Sequence, residues 1–262
     1  MGKITDALKK AAQERLGRLD KISNISEHRG KIIVRKVTDS KVDVRLVPYF
    51  DPKALISEQY KILRTNIMSL HKKNSLKTIV MTSSIHSEGK TITSLNLAIT
   101  LAQATQKPKV LLIDADMRRG RIRKYLGISS KFGLSEILSG KATIEDSIFQ
   151  LDVDHLSFIS SGEVPHNPSE LLDSEAMQNL LKELRSQFDF ILIDTPPIVP
   201  VTDAGIIGSM ADGVVMMIEA GRTHRGVVHR AAELLNQAHC KIIGYVLTNI
   251  QYHLPQYIYR YL

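Results

Sequence analysis

The segment SSIHSEGKT at positions 83–91 combines residue types that bind a chain of phosphates. Gly89 lets the backbone approach a ligand closely, Lys90 supplies a cation for the phosphate oxygens, and the Thr91 hydroxyl suits Mg²⁺. Backbone N–H groups at the start of a helix, where the helix dipole favours negative charge, would complete the cradle. The segment therefore predicts an ATP site whose contacts are Ser87, Glu88, Gly89, Lys90, Thr91 and Ile92. Ser84 stands at the first glycine position of this motif, so an ordinary strand-to-helix turn with an exposed lysine is the alternative.

Two apolar segments end in aspartate, VLLIDADMRR at 110–119 and FILIDTPP at 190–197. Ligands bind beyond the carboxyl ends of the strands in a parallel sheet, so these carboxylates are expected to face the phosphates. Asp194 would hold Mg²⁺ directly or through water. Of Asp114 and Asp116, one would orient the metal and the other would accept a proton from an attacking hydroxyl. Taken singly, an aspartate after a strand is commonly a turn or cap residue.

Two arginines follow the second of these aspartates directly. Arg118 and Arg119 are predicted to neutralise the charge of a transferring phosphate. Asn249, at the end of the last predicted strand, is a candidate contact for the adenine base, with a turn-forming asparagine as the equal alternative.

Strand-like and helix-like segments alternate along the chain around these motifs. The predicted strands are 77–83, 110–114, 155–160, 190–194, 213–218 and 241–249. The predicted helices are 55–71, 89–105, 131–149, 168–187, a short one after 200, and 224–238. This order predicts an α/β fold of the P-loop NTPase type, a doubly wound, mainly parallel sheet with helices on both faces.

The domain prediction has three parts. Residues 1–50 hold 12 Lys and Arg against 6 Asp and Glu, so this stretch carries +6 of the formal net charge of +8. We assign 1–50 to a basic N-terminal extension with an amphipathic helix at 3–17, 51–250 to an ATP-binding domain, and 251–262 to a tyrosine-rich tail. The basic extension could touch anionic lipid or nucleic acid, or could simply be a solvated leader. It lacks the aromatic platforms of a nucleic-acid binder, so we expect no nucleic-acid partner.

The composition also predicts a location. No apolar run approaches the ~20 residues that a membrane-spanning helix needs, and the first residues lack the apolar core of a secretory signal. A single cysteine, Cys240, cannot form an internal disulfide, which fits a reducing compartment. These features predict a cytoplasmic protein.

The C-terminal segment YHLPQYIYRYL holds four of the chain's eight tyrosines. Exposed hydroxyls on a terminal segment suit phosphoacceptors. A hydrophobic C-terminal strand or packing arm is the alternative, because Tyr and Ile alternate there.

The combination of a phosphate loop, a D-x-D strand and I-D-T-P-P resembles the bacterial tyrosine kinase (BY-kinase) family. The resemblance spans about residues 50–262. EQYKILRTNI at 58–67 is similar to the family's subunit-contact segment, and GEVPHNPSELL at 162–172 to its G-x-x-P-x-N-P-x-E-L-L loop. The N-terminus also resembles that of kinases found with exosortase-type polysaccharide systems. His86 and Ser87 replace the family's Pro-Gly, and Lys61 stands where its first subunit-contact arginine is expected.

The resemblance implies a tyrosine autokinase of capsule or exopolysaccharide synthesis that uses ATP and Mg²⁺. It implies that Lys90 and Thr91 bind the phosphates and Mg²⁺ and that Asp114 is the base that accepts the proton. It also implies that Asp116 and Asp194 organise the metal. It also implies two sets of residues outside the site: subunit contacts Glu58, Lys61 and Arg64, and phosphoacceptors Tyr252, Tyr257, Tyr259 and Tyr261.

The family also implies partners. Its members form ring-like homo-oligomers in which one subunit's tail enters the next subunit's site. They work at the inner face of the plasma membrane with a membrane polysaccharide co-polymerase, which implies a separate membrane partner for this chain. Phosphorylation in trans loosens the ring through charge repulsion.

Two other functions stay open. A partitioning or division-type P-loop ATPase would carry a second lysine five residues before Lys90, where this chain has Ile85. A non-catalytic regulatory switch would bind ATP with the same residues and transfer no phosphate.

Overall fold

The computed structural model describes residues 35–36, 42–150 and 153–250. The predicted helix at 3–17 and the predicted phosphoacceptors Tyr252, Tyr257, Tyr259 and Tyr261 lie outside the described residues. Within the described ranges, no helix is both long enough and apolar enough to cross a bilayer.

Ten helices and eight strands make up the described part of the chain. The helices are α1 (Val47–Phe50), α2 (Leu55–Asn74), α3 (Lys90–Ala102), α4 (Ile122–Leu126), α5 (Leu134–Leu138), α6 (Ile144–Ser147), α7 (Pro168–Leu172), α8 (Glu175–Gln187), α9 (Asp203–Met210) and α10 (Arg225–Gln237). The strands are β1 (Arg35–Lys36), β2 (Thr78–Ser83), β3 (Val110–Asp114), β4 (Ile148–Gln150), β5 (Leu156–Ile159), β6 (Phe190–Asp194), β7 (Gly213–Glu219) and β8 (Ile242–Thr248).

The strands form one sheet in the order β1-β4-β5-β3-β6-β2-β7-β8. All neighbouring pairs are parallel except β4 and β5, which are antiparallel. The three central strands β3, β6 and β2 are fully buried, as expected for continuous β-branched and Leu-rich segments covered on both faces. Asp114 pairs with Asp194 in register, so the two acidic strand ends lie side by side.

Each face of the sheet carries its own apolar core. One core packs α2, α3 and α4 against residues such as Leu112 and Leu192. The other packs α8, α9 and α10 against residues such as Ile113 and Ile193. The predicted doubly wound, mainly parallel fold is therefore confirmed.

The predicted start of the domain at residue 51 is too late for the packed part of the chain. Leu46 is fully buried in the core beside α3, and Tyr49 is nearly so. Asp43 N donates to Tyr125 O at 2.8 Å, and the Arg45 guanidinium lies 4.9 Å from the centre of the Tyr125 ring. Residues 42–50 therefore bind across α4 as part of the domain.

Two predicted helices are shorter than their periodicity suggested. The segment 131–149 contains α5, α6 and part of strand β4, because Gly140 adopts φ 68° after α5 and Thr143 caps a new helix at Asp146 N. The segment 168–187 is broken between α7 and α8, where the Ser174 hydroxyl accepts from Met177 N and starts the second helix. Helix α4 lies between the predicted strand 110–114 and the predicted helix 131–149, where no helix is predicted.

Candidate active site

The phosphate loop joins β2 to α3 at the carboxyl edge of the sheet. Gly89 adopts φ 78° and Ser87 φ 68°, so two left-handed residues turn the chain back towards the helix. Glycine adopts this conformation freely, whereas serine is strained in it. The first N–H groups of a helix have no partner within it, so the start of α3 presents free donors to an anion.

Glu88 holds the loop in shape from behind. Its buried carboxylate accepts from Ile85 N at 2.8 Å and from Glu219 N at 3.3 Å, and the Thr223 hydroxyl donates to it as well. The Thr248 hydroxyl donates to Glu88 O at 2.9 Å. The Glu88 side chain therefore fixes the loop. Because its carboxylate is already hydrogen-bonded within the protein, the predicted contact of Glu88 with nucleotide would be made by its backbone N–H.

Lys90 lies between the carboxylates of two adjoining strands. Its Nζ is 3.4 Å from Asp116 Oδ2 and 3.5 Å from Asp194 Oδ2. The Thr91 hydroxyl donates to Asp194 Oδ2 at 2.7 Å, and the Ser94 hydroxyl donates to Asp194 Oδ1 at 3.2 Å. The structure thus brings together the predicted Lys90, Thr91, Asp116 and Asp194.

Burial and neighbouring charges shift the pKa values of Asp114, Asp194 and Lys90 in this site. Burial, together with repulsion from Asp194, raises the pKa of Asp114 to about 7. Burial also raises the pKa of Asp194, although Lys90 and Thr91 oppose the shift. Burial would lower the pKa of Lys90, but the three carboxylates outweigh it and raise that pKa.

This donor set fits a divalent cation. Asp194 and Thr91 present hard oxygen atoms that already touch each other, which are the ligands that Mg²⁺ prefers. Two carboxylates, Asp116 and Asp194, lie near the single ammonium of Lys90, and a bound cation would favour their ionised forms. Asp116, Asp194 and Thr91 therefore remain the predicted residues that would hold Mg²⁺.

A pocket opens in front of the phosphate loop. Asp116 and Arg119 line it, together with three residues that are not among the predicted site residues: Arg121, Tyr125 and Pro197. Arg121 immediately precedes α4 and Tyr125 lies within it, and no helix is predicted there from the sequence. Ser94 was also missed, although its position one helical turn beyond Lys90 and Thr91 places it on the same face of α3.

This chain is similar to known proteins over most of its length. A family model described as AAA domain matches residues 76–239. The tyrosine-protein kinase YwqD of Bacillus subtilis is 36% identical over 214 residues, which cover 82% of this chain and 90% of YwqD. The chain belongs to the bacterial tyrosine kinase family.

Solved structures agree with this assignment. The chimerical protein CapA2B2 superimposes with a TM-score of 0.76 at 32% identity, over 80% of this chain and 93% of CapA2B2. The kinase domain of the Escherichia coli tyrosine kinase ETK superimposes with a TM-score of 0.73 at 30% identity, over 90% and 89% of the two chains. The predicted family and the predicted enzyme class, a protein-tyrosine kinase, are both confirmed.

The base predicted for this kinase lies behind the pocket wall. Asp114 is almost completely buried, and its two oxygens accept from Asp116 N at 3.2 Å and Ile122 N at 3.1 Å. A Cβ added to Gly120 would lie 3.1 Å from Asp114 Oδ2, so the loop between β3 and α4 covers this carboxylate. Of the three aspartates Asp114, Asp116 and Asp194, Asp116 is the one that lines the kinase pocket.

Of the two arginines predicted to neutralise phosphate charge, Arg118 and Arg119, one lines the pocket and the other does not. Arg119 lines the pocket. Arg118 instead donates to Asp203, with Nε 3.0 Å from Oδ2, and to the Ser169 hydroxyl at 2.8 Å. The prediction for Arg118 is therefore wrong in this structure, because the fully buried Asp203 carboxylate needs a partner and takes its guanidinium.

Asn249 donates its side-chain amide to Glu219 Oε1 at 3.0 Å and adopts φ 52°. Its predicted contact with adenine stays a prediction. The predicted subunit-contact residues of the kinase lie along α2. Lys61 pairs with Glu58 at 2.6 Å within this helix, and Arg64 donates to Thr100 O of α3 at 3.1 Å.

Proposed function

We propose that the chain uses ATP and Mg²⁺ to phosphorylate tyrosines of its own C-terminal tail, the four at positions 252, 257, 259 and 261. The observation that carries this proposal is the placement of Lys90 and Thr91 against two carboxylates, Asp116 and Asp194, at one edge of the sheet. A cation beside phosphate-binding N–H groups and a proton-accepting carboxylate are the parts that phosphoryl transfer to a hydroxyl needs.

In this proposal each residue has one task. Lys90 binds the phosphate oxygens, and Arg119 binds the charge that spreads over the transferring group. Asp114 accepts the phenolic proton, since a carboxylate with a pKa of about 7 is suited to proton transfer near neutral pH. When bound, Mg²⁺ would neutralise phosphate charge. Because Gly120 covers Asp114, the loop between β3 and α4 has to admit the acceptor hydroxyl.

The proposed transfer occurs between subunits of a homo-oligomer. Glu58 and Lys61 lie on the outer surface of α2, where three apolar side chains are about half exposed: Leu55, Ile56 and Ile62. An exposed apolar stripe beside charged residues is typical of a protein interface. We infer that α2 forms the subunit contact through these residues and Arg64.

The membrane partner of this kinase is also proposed. We infer that the chain acts at the inner face of the plasma membrane through a polysaccharide co-polymerase that activates it, and that it regulates capsule or exopolysaccharide synthesis. The similarity to CapA2B2 and to the putative tyrosine-protein kinase CapB of Staphylococcus aureus supports this inference.

Incubation with Mg·ATP followed by mass mapping tests the proposal. We expect phosphate on the tail tyrosines, its complete loss in Lys90→Met, and at least a tenfold loss when all four tail tyrosines are replaced by Phe. Tyr245→Phe is the matched control, because Tyr245 is an exposed tyrosine outside the tail. Full labelling of the four-Phe protein, or of Lys90→Met, would refute the proposal.

A non-catalytic ATP-dependent switch is the second candidate, because the same residues would bind nucleotide in it. Retained ATP binding with no phosphotyrosine, even with the membrane partner present, would favour the switch. The division-type ATPase is disfavoured by Ile85, whose backbone N–H is bound by Glu88 and whose side chain offers no charge to a phosphate.

A further inference from the structure

The last strand of the sheet has an open edge. Within the described chain, β8 hydrogen-bonds to β7 on one side and to no strand on the other. Parallel sheets are normally covered, and an uncovered edge presents unpaired N–H and C=O groups that another strand can bind. Beyond an irregularity beside Val214 and Val215, residues 244–248 are regular, so their edge has the geometry to extend the sheet.

The side chains at this edge are apolar and exposed. Tyr245 is 52% exposed and Leu247 is 58% exposed, and the two lie on one face of β8 because they are two residues apart. On the other face, a Cβ added to Gly244 would have no atom within 4 Å. Ile250, just beyond the strand, is 47% exposed. The edge thus offers apolar surface and free space together.

We propose that residues 256–260 of the same chain bind this edge as an antiparallel strand. Their sequence QYIYR alternates Tyr with other residues, so both tyrosines fall on one face. Pairing Tyr257 with Leu247 places Tyr259 beside Tyr245, since the two strands run in opposite directions. Aromatic cross-strand pairs of this kind stabilise a sheet. The same register places Ile258 beside Val246 and Arg260 beside Gly244, where the missing side chain leaves room.

The length of the chain favours this occupant. Seven residues, 249–255, connect the end of β8 to the added strand, which is enough for a reversal. The connection begins with Asn249 at φ 52° and ends with Pro255, which lies outside the paired stretch and so removes no ladder hydrogen bond. A short tether gives an effective concentration on the order of millimolar, well above that of a second copy.

Docking would keep acceptor tyrosines away from the active site; this consequence rests on the proposed function. The carboxyl end of β8 contacts the phosphate loop, where the Thr248 hydroxyl donates to Glu88 O. An antiparallel strand runs away from that end, so Tyr259 lies farther from the loop than Tyr257. Phosphates on both tyrosines, each with a charge of about −1.5 to −2, would repel one another on one face and oppose redocking.

Amide hydrogen exchange of the full-length protein without nucleotide tests the docking. Ile258→Pro fixes φ away from the extended value and disrupts strand pairing. We expect exchange of residues 244–248 to become at least tenfold faster in this variant and to stay unchanged in the control Gln251→Pro, which lies in the connection. Leu247→Ser should have the same effect as Ile258→Pro, whereas Val164→Ser, at a residue that is 71% exposed elsewhere, should not.

Equal exchange in wild type and Ile258→Pro would overturn the proposal. Protection that rises with protein concentration would also overturn it, because a second copy would then cover the edge. Labelling with Mg·ATP separates this inference from the proposed function. Faster labelling of Tyr259 in Ile258→Pro than in Gln251→Pro supports a docked tail that withholds its acceptors. If neither protein is labelled, the proposed function fails, and the exchange data still decide the docking.

Discussion

Replacing Asp114 by Asn should weaken phosphotransfer. In the absence of ligand, the stability of the variant should rise relative to that of the wild type as the pH rises. Asp114 is buried beside Asp194, and together burial and repulsion raise its pKa from 3.8 to about 7. Because the folded-state pKa is higher than the unfolded one, the folded state keeps this proton over a range where the unfolded state loses it. Stability therefore falls as the pH rises from about 4 to about 7 and is constant above that range.

The magnitude follows from the two pKa values. Between pH 5 and pH 8, ionisation of Asp114 removes about 2.5 kcal/mol from the free energy of unfolding of the wild type. The amide introduced by Asp114→Asn has no such ionisation. The two carboxylate oxygens of Asp114 accept from the N–H groups of Asp116 and Ile122, and the single oxygen of the Asn amide can accept from only one of them. The lost hydrogen bond lowers the stability of the variant by about 1–3 kcal/mol at every pH. The slope with pH is therefore the diagnostic quantity.

Urea denaturation of both proteins in EDTA at pH 5, 6, 7 and 8 measures this slope. From pH 5 to pH 8, we expect the wild type to lose about 2.5 kcal/mol of unfolding free energy relative to Asp114→Asn. Asp212→Asn is the control. Burial acts to raise the pKa of Asp212, but hydrogen bonds from Arg185 and two backbone N–H groups lower it overall. Stability from a lowered pKa is lost only at acid pH, so this control should show no slope. A flat difference for Asp114→Asn would refute our account of its environment.

Two further substitutions test the loops around the site. Arg118→Met leaves the fully buried Asp203 with only Ser169 as a side-chain donor, and should lower the free energy of unfolding by about 1–3 kcal/mol, since the guanidinium is partly exposed. Adding Asp203→Leu should restore part of this loss; no recovery in urea midpoints would show that the pair is not the cause. Ser87→Gly relieves a residue at φ 68° and should stabilise the protein by about 1 kcal/mol in the same assay, whereas a loss would mean that the Ser87 hydroxyl contributes more than the strain.

The sequence was sufficient for the central part of this molecule because its signals there are local. Buried strands that end in Asp114 and Asp194, and a glycine before Lys90, follow directly from periodicity and turn chemistry. Their convergence at one sheet edge is a general property of parallel sheets, and so could be predicted.

What the sequence did not show depends on contacts between distant residues. Arg118 and Arg119 are neighbours with the same charge, and only the position of Asp203, 85 residues away, decides which of them leaves the pocket. Burial of Asp114 likewise depends on Gly120 lying over it. The antiparallel pairing of β4 with β5 could not be predicted, because β4 is three residues long and too short to show the alternation of a strand.

The stacking of Arg45 on Tyr125 makes residues 42–50 a strap over one wall of the nucleotide pocket. A fragment cut at residue 51 would lose the strap, uncover the outer side of the Tyr125 ring and remove Leu46 from the core beside α3. Nucleotide affinities measured on such a fragment would describe an altered pocket. Conversely, a binding partner that pulled on the chain ahead of residue 42 would act on that wall directly, without touching the phosphate loop.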